Sequence, residues 1–168
     1  VKFLFLDIDG VVITSRSFHF LPQTYHYEGK QFKQHVDQLS AHAVRRIVER
    51  TGCKVIINSS NGANGEDYVR DMFMRVGYDI SEDFYHQWST GFPNNGLPRD
   101  LSILRCLKEI ESYGDTVDEW CVIDDTDSFT DIDSDHHVSP SSSNGILMED
   151  YKRACRILGN PDDGAFIV

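Results

Sequence analysis

Two carboxylates one residue apart, Asp7 and Asp9, close the apolar run Phe3-Leu4-Phe5-Leu6 and are followed at once by Gly10. A β-rich run that ends in paired acids and a glycine predicts a strand that delivers both carboxylates to a sheet edge before a sharp turn. Alternation along a strand points residues two apart the same way. Two like charges in one cleft are costly unless a cation or a shared proton compensates them. The pair therefore implies a divalent metal, acid/base work, or both. An Asp-Gly turn closing a hairpin is the plainer alternative.

Similar junctions recur further along the chain. Lys54-Val55-Ile56-Ile57 runs into Asn58-Ser59-Ser60-Asn61, and Trp120-Cys121-Val122-Ile123 runs into Asp124-Asp125. A short hydroxyl at a strand end, beside free backbone N–H groups, is the donor a phosphate site needs. Hard carboxylate oxygens suit Mg2+, which keeps several waters and takes few protein ligands.

Taken in order, these segments resemble the motifs of the haloacid dehalogenase (HAD) superfamily, most of whose members are Mg-dependent phosphatases working through an aspartyl-phosphate. The resemblance implies that Asp7 is the nucleophile and Asp9 the general acid/base, with the backbone carbonyl of Asp9 also offered to the metal. It implies a phosphate-binding hydroxyl at Ser59, with Ser60 its rival one register away. It makes Asp124 a direct Mg2+ ligand and Asp125 an outer or alternate one, with Asp127 a third candidate. The cation that neutralises the transferred phosphoryl group falls at Arg99, in Gly96-Leu97-Pro98-Arg99-Asp100, with Lys108 the alternative deeper in the same helix.

The wider order ends at Asn144-Gly145-Ile146-Leu147 before a last helix. It resembles a small capless branch found in multifunctional RNA-repair proteins and in many phages, over roughly residues 2–159. One departure stands out: that branch usually carries Trp-Arg after its second motif, where this chain has Asn61-Gly62. Two in-line displacements are implied, attack by Asp7 with Asp9 protonating the leaving oxygen, then hydrolysis by water that Asp9 activates. Two other classes compete with a hydrolase. A receiver-like domain also places acids at strand ends, although its acid pair and phosphoacceptor lie on different strands; a non-catalytic phosphate-binding module of the same fold would keep the motifs without turnover.

The elements that must position these residues alternate between strand and helix. Ser40 reads as the N-cap of a helix stopped by Gly52, with Leu39 packed on Val44 as a staple and Val44, Ile47 and Val48 facing the core. A helix over about 65–76 carries Val69, Met72, Phe73 and Val76 on one face and ends at Gly77. A third spans about 99–112, with Leu101, Leu104, Leu107 and Ile110 apolar, and a fourth, near 148–158, aligns Tyr151, Ala154, Cys155 and Leu158. This is an α/β pattern: a doubly wound, Rossmann-like parallel sheet with helices on both faces and right-handed crossovers. We read one HAD-like domain over 1–168, with a small aromatic-rich insert at about 14–37 and no large cap. Ligands of such sheets bind beyond the strand C-termini, where all the motif residues fall.

Composition narrows the partners. A formal charge of −11 and a pI near 4.9 argue against a duplex nucleic-acid binder, which works by neutralising phosphates with Lys and Arg. The segment from Arg16 to Lys33 interleaves Arg16, Lys30 and Lys33 with Phe18, His19, Phe20, Tyr25, His26 and Tyr27. Such a segment can stack bases, or it is a loop or β-hairpin folded over the site. Together with this segment, the resemblance to the RNA-repair branch implies a small phosphomonoester of nucleotide type as substrate, or the 3′-phosphate of a nucleic-acid end.

No apolar run approaches the ~18 residues of a membrane span, and the start runs too quickly into acid for a signal peptide. Cys53, Cys106, Cys121 and Cys155 are widely spaced and read as buried thiols, which favours the cytoplasm. Asp131, Asp133 and Asp135 have part of a calcium-loop spacing, but His136 stands where the turn glycine belongs. His136-His137 reads as a solvated polar pair, and Ser139 to Asn144 as a mobile loop.

Overall fold

The computed structural model describes residues 1–21, 24–27, 29–33 and 36–164, with the side chains of residues 24–27 and 30–33 left out. In chain order the elements are β1 (Lys2–Leu6), α1 (Ser15–Phe20), β2 (Thr24–Tyr27), β3 (Lys30–Lys33), α2 (Gln38–Thr51), β4 (Lys54–Ile57), α3 (Glu66–Met74), β5 (Phe84–Ser89), α4 (Arg99–Ser112), β6 (Glu119–Ile123), β7 (His137–Val138) and α5 (Met148–Ile157). Short 3-10 turns lie at Ser60–Asn64 and Ile80–Glu82.

Five strands form one sheet in the order β5-β4-β1-β6-β7, and every pairing is parallel. β1 sits at the centre because Phe3, Leu4, Phe5 and Leu6 are apolar on both faces and each is fully buried. Parallel strands covered on both sides read as continuous apolar runs of this kind. On one face Leu4, Leu6, Val55, Ile57, Cys121 and Ile123 pack against α2, α3 and α5. On the other, Phe3, Phe5, Ile56 and Val122 pack against Ile103, Cys106 and Ile110 of α4. The expected α/β architecture is therefore present, and the described residues include no large cap. No helix among them is long and apolar enough to cross a membrane.

Local chemistry explains the boundaries and corrects several of them. The cap of α2 is Asp37, whose carboxylate accepts from the backbone N–H groups of Leu39 and Ser40. Ser40 instead lies inside the first turn, where its buried hydroxyl accepts from Ile146 N–H at 3.0 Å. Leu39 is 69% exposed, so it makes no staple on Val44. Gly52 does end the helix, in the left-handed conformation that glycine adopts without strain. The buried face of α4 is Ile103, Cys106 and Ile110, while Leu101 is exposed and Leu104 and Leu107 pack at the margin. All four cysteines are buried and unpaired. Burial pushes the Cys53 thiol up to about 11 and that of Cys106 to about 12, so neither is a reactive thiolate near neutrality.

The segment at 14–37 contains α1 and an antiparallel hairpin, in which Tyr25 pairs with Phe32 and Tyr27 with Lys30. The side chains of Tyr25, His26 and Tyr27, read above as base-stacking groups, lie outside the described residues. The 139–144 segment is tied down by hydrogen bonds: Ser15 N–H and Arg16 N–H donate to the carbonyls of Ser142 and Ser143 at 3.1 Å each.

Candidate active site

Four neighbouring strands deliver their last residues to one edge of the sheet. Asp7 N–H donates to Ile123 O, Asn58 N–H to Leu6 O, Thr90 N–H to Ile57 O and Asp124 N–H to Val138 O, all within 2.9–3.1 Å. The ladder thus continues one residue past each strand, and the side chains of Asp7, Asn58, Thr90 and Asp124 emerge side by side from a rigid frame. All four are buried.

Arg99, the first residue of α4, reaches into this row. Its Nη1 stands 3.0 Å from Asp7 Oδ1 and 3.0 Å from Asp124 Oδ2, and its guanidinium lies over the Phe92 ring, 5.0 Å from the centroid. Burial would favour the neutral arginine, but Asp7 and Asp124 more than offset it and raise its pKa further. Lys108, the alternative cation, is exposed in the middle of α4. Asp100, next to Arg99, fixes the helix start to the loop after β6: its Oδ2 accepts from Thr130 N–H and Asp131 N–H. Burial alone would raise its pKa, yet the N–H groups of Leu101, Asp131 and Thr130 hold it below the ordinary carboxylate value.

Asp7 is 1% exposed. Neither of its carboxylate oxygens has a hydrogen-bond partner among the described residues, and the Arg99 ion pair is a single contact on one of them. Burial, followed by the charge of Asp124, pushes its pKa up to about 7 against the opposing pull of Arg99. Asp125 is raised for the same two reasons. An orphaned buried carboxylate of this kind asks for a cation. Ligand oxygens from Asp7, Asp124 and Asp125 lie within 4.8 Å of one another, and such an all-oxygen set fits Mg2+. Asp127 is exposed and outside this cluster. The run Asp131 to Asp135 and the pair His136-His137 form no ligand cluster among the described residues.

Asp9 does not continue the alternation of β1. Residues 8–13 curl into a turn, with Val12 N–H and Ile13 N–H donating to Ile8 O at 2.9 and 3.0 Å. Asp9 therefore faces solvent at the mouth of the site, with Asn61 Nδ2 donating to its Oδ2 at 2.8 Å. Partial enclosure raises its pKa, opposed by Arg99 and by the Asn61 hydrogen bond. Gly10 has φ +79° and packs on Asp125; a Cβ there would meet Asp125 Oδ2 at 2.1 Å. Ser59 is buried, with its hydroxyl accepting from Asn61 N–H at 3.3 Å, whereas Ser60 is exposed in the following 3-10 turn.

Several supporting contacts carry no local signal in the sequence. Thr90 Oγ1 donates to Asn58 Oδ1 at 2.7 Å, and Asn58 Nδ2 donates to the Arg99 carbonyl at 3.4 Å, which ties the start of α4 to β4. His137 Nε2 lies 2.9 Å from the Asp124 carbonyl, and His136 stacks on Trp120 with ring centroids 3.9 Å apart. These histidines are structural, not a solvated pair. In the sequence Asn61 stands out only as a departure from a family pattern, and no signal in its neighbours marks it as a partner of Asp9.

A family model for the HAD domain in Swiss Army Knife RNA repair proteins matches residues 3–151. No curated protein and no solved structure matches the chain significantly.

Proposed function

From the premise that the chain belongs to the family of HAD domains in Swiss Army Knife RNA repair proteins, we propose that it is a Mg-dependent phosphomonoester hydrolase working through an aspartyl-phosphate on a nucleotide-type substrate. The observation that carries this reading is Asp7: a carboxylate buried at a strand end, ion-paired with Arg99 through one oxygen and left under-partnered among the described residues. Mg2+ held by Asp7, Asp124 and Asp125, with the Asp9 carbonyl, would supply charge neutralisation for the phosphoryl oxygens.

The chain's own residues account for the remaining roles. Asp7 attacks phosphorus and the ester oxygen leaves as an alcohol, taking its proton from Asp9, whose raised pKa keeps it protonated to higher pH than a free aspartate. Asp9 then accepts a proton from the water that releases inorganic phosphate and regenerates Asp7. Ser59 and the N–H groups of the turn it caps receive a phosphoryl oxygen, with Ser60 at the rim. Arg99 is fixed in place by Phe92, Asp100 and the Asn58–Thr90 pair, so its charge meets the transferring group without reorganisation.

The family's description favours a second substrate, a phosphorylated nucleic-acid end. A charge of −11 favours the free mononucleotide, because a polyanionic strand is repelled over its length. Comparing kcat/KM for mononucleotides, sugar phosphates and a 3′-phosphorylated oligonucleotide tests this. Preference for sugar phosphates would refute the nucleotide reading, and strong preference for the oligonucleotide would establish the strand end. No Mg-dependent turnover on any of them would leave a non-catalytic phosphate-binding module.

A further inference from the structure

A cavity of about 440 Å³ is lined by Asp9 and Arg99. Its volume falls within the range of roughly 300–1,000 Å³ that holds whole small-molecule ligands, more than a phosphate alone requires. Phe18 and His19 of α1 form one wall, with Ser15 and Ser142 beside them. The two rings meet edge to face, with centroids 5.6 Å apart and planes at 87°. Phe18 is 48% exposed.

The helix that carries Phe18 is held firmly. Thr14 caps it through reciprocal hydrogen bonds with Ser17. Arg16 pairs with Asp37 at 2.7 Å, and the N–H groups of Ser15 and Arg16 are bound by the 142–143 carbonyls. The wall is therefore set before any ligand arrives, which lowers the ordering cost of binding.

We infer that this cavity is the leaving-group subsite and that it takes a nucleoside, with Phe18 and His19 lining the place of the base and Ser15 and Ser142 that of the sugar. The inference rests on the hydrolase reading for its orientation: Asp9, which protonates the leaving oxygen, lies at the junction between the acid cluster and the cavity. Two features select the chemistry. A base has a π-face that stacks on an aromatic whatever its sequence identity, and such a stack is a large share of small-ligand affinity. The cavity also carries Asp9 and Asp125, while its guanidinium is already shared between Asp7 and Asp124. A neutral leaving group suits it better than one bearing further phosphates.

The test compares adenosine 3′-monophosphate, adenosine 5′-monophosphate and ribose 5-phosphate, the last being a sugar phosphate without a base. Phe18→Ala should lower kcat/KM for at least one nucleotide about fivefold or more, the scale of one lost base stack, and leave ribose 5-phosphate unchanged. His19→Ala should do the same to a smaller degree, and Phe18→Tyr should restore the rate. Because Phe18 is half exposed, loss of fold is not the expected cost, and an unchanged melting temperature checks this. Equal losses on all three substrates, or no loss on either nucleotide, would overturn the subsite. Should the wild type hydrolyse none of them, the hydrolase reading fails first, and the subsite is then judged by adenosine 5′-monophosphate binding. Binding that weakens about fivefold in Phe18→Ala upholds it; no binding, or equal binding, overturns it.

Discussion

Asn61 Nδ2 donates to Asp9 Oδ2 at 2.8 Å, across 52 residues of sequence. A hydrogen bond to a carboxylate favours the charged form and so lowers its pKa. Asn61 therefore restrains both the orientation and the acidity of the group proposed as the general acid. Removing it in Asn61→Ala should raise the Asp9 pKa and move the alkaline limb of the kcat profile upward. Loss of orientation should meanwhile lower kcat about tenfold, the lower part of what a positioned acid supplies. A pH–rate profile of the variant separates the two effects, and an unmoved alkaline limb would show that Asn61 does not tune Asp9.

Asp124 is fully buried at the strand end facing Asp7, whereas Asp125 is half-buried and follows it into the loop. Asp124→Ala should accordingly weaken Mg2+ activation more than Asp125→Ala. Mg2+ titrations of both variants check the order, and the reverse order would make Asp125 the direct ligand.

The raised pKa of Asp7 has consequences for the metal-free protein. In the unfolded chain the carboxyl ionises near the usual aspartate value, while in the fold it holds its proton up to about 7. Between those values the folded state binds more protons than the unfolded state, so stability falls as pH rises through that window and the loss is complete above it. Asp7→Asn removes the buried charge. It should therefore raise the melting temperature at pH 8 by on the order of 5 °C and change it little at pH 4. As a proposed Mg2+ ligand Asp7 would have to lose its proton, so Mg2+ affinity should also strengthen as pH rises from 5.5 to 7.5. A melting series with and without Mg2+ measures both, and a pH-independent difference would contradict the burial argument.

Gly10 tests the packing of the site. A side chain there would be strained by the positive φ and driven into Asp125. Gly10→Ala should weaken Mg2+-dependent turnover, as should Asp125→Ala, and destabilise the fold by about 1–3 kcal/mol, measurable by urea denaturation. Wild-type activity and stability in this variant would contradict the close packing of Gly10 on Asp125.

The strands that carry the acids were legible because β1, β4 and β6 are buried on both faces, and burial of that kind leaves an uninterrupted apolar run ending abruptly in polar residues. β5 was not legible. Phe84–Ser89 mixes His86, Gln87 and Ser89 with aromatics at an edge of the sheet, where neither an apolar run nor alternation is required. β7 has only two residues and gives no period at all. The α2 cap is not legible locally, because Ser40 and Leu39 imitate a capping pattern while Asp37 is held for the role by Arg16 and Thr14, some twenty residues away. Asn61, Asn58, Thr90 and His137 act through contacts between strand ends, which no local pattern encodes.

The most direct test is the initial rate of Mg2+-dependent hydrolysis of an aryl phosphate by the wild type and by Asp7→Asn, with circular dichroism to verify that both are folded. Turnover that requires Mg2+ in the wild type and falls at least about 10³-fold in Asp7→Asn is the result expected of a carboxylate that attacks phosphorus itself. A folded Asp7→Asn variant that keeps more than about a few per cent of the wild-type rate would contradict the assignment of Asp7 as the nucleophile.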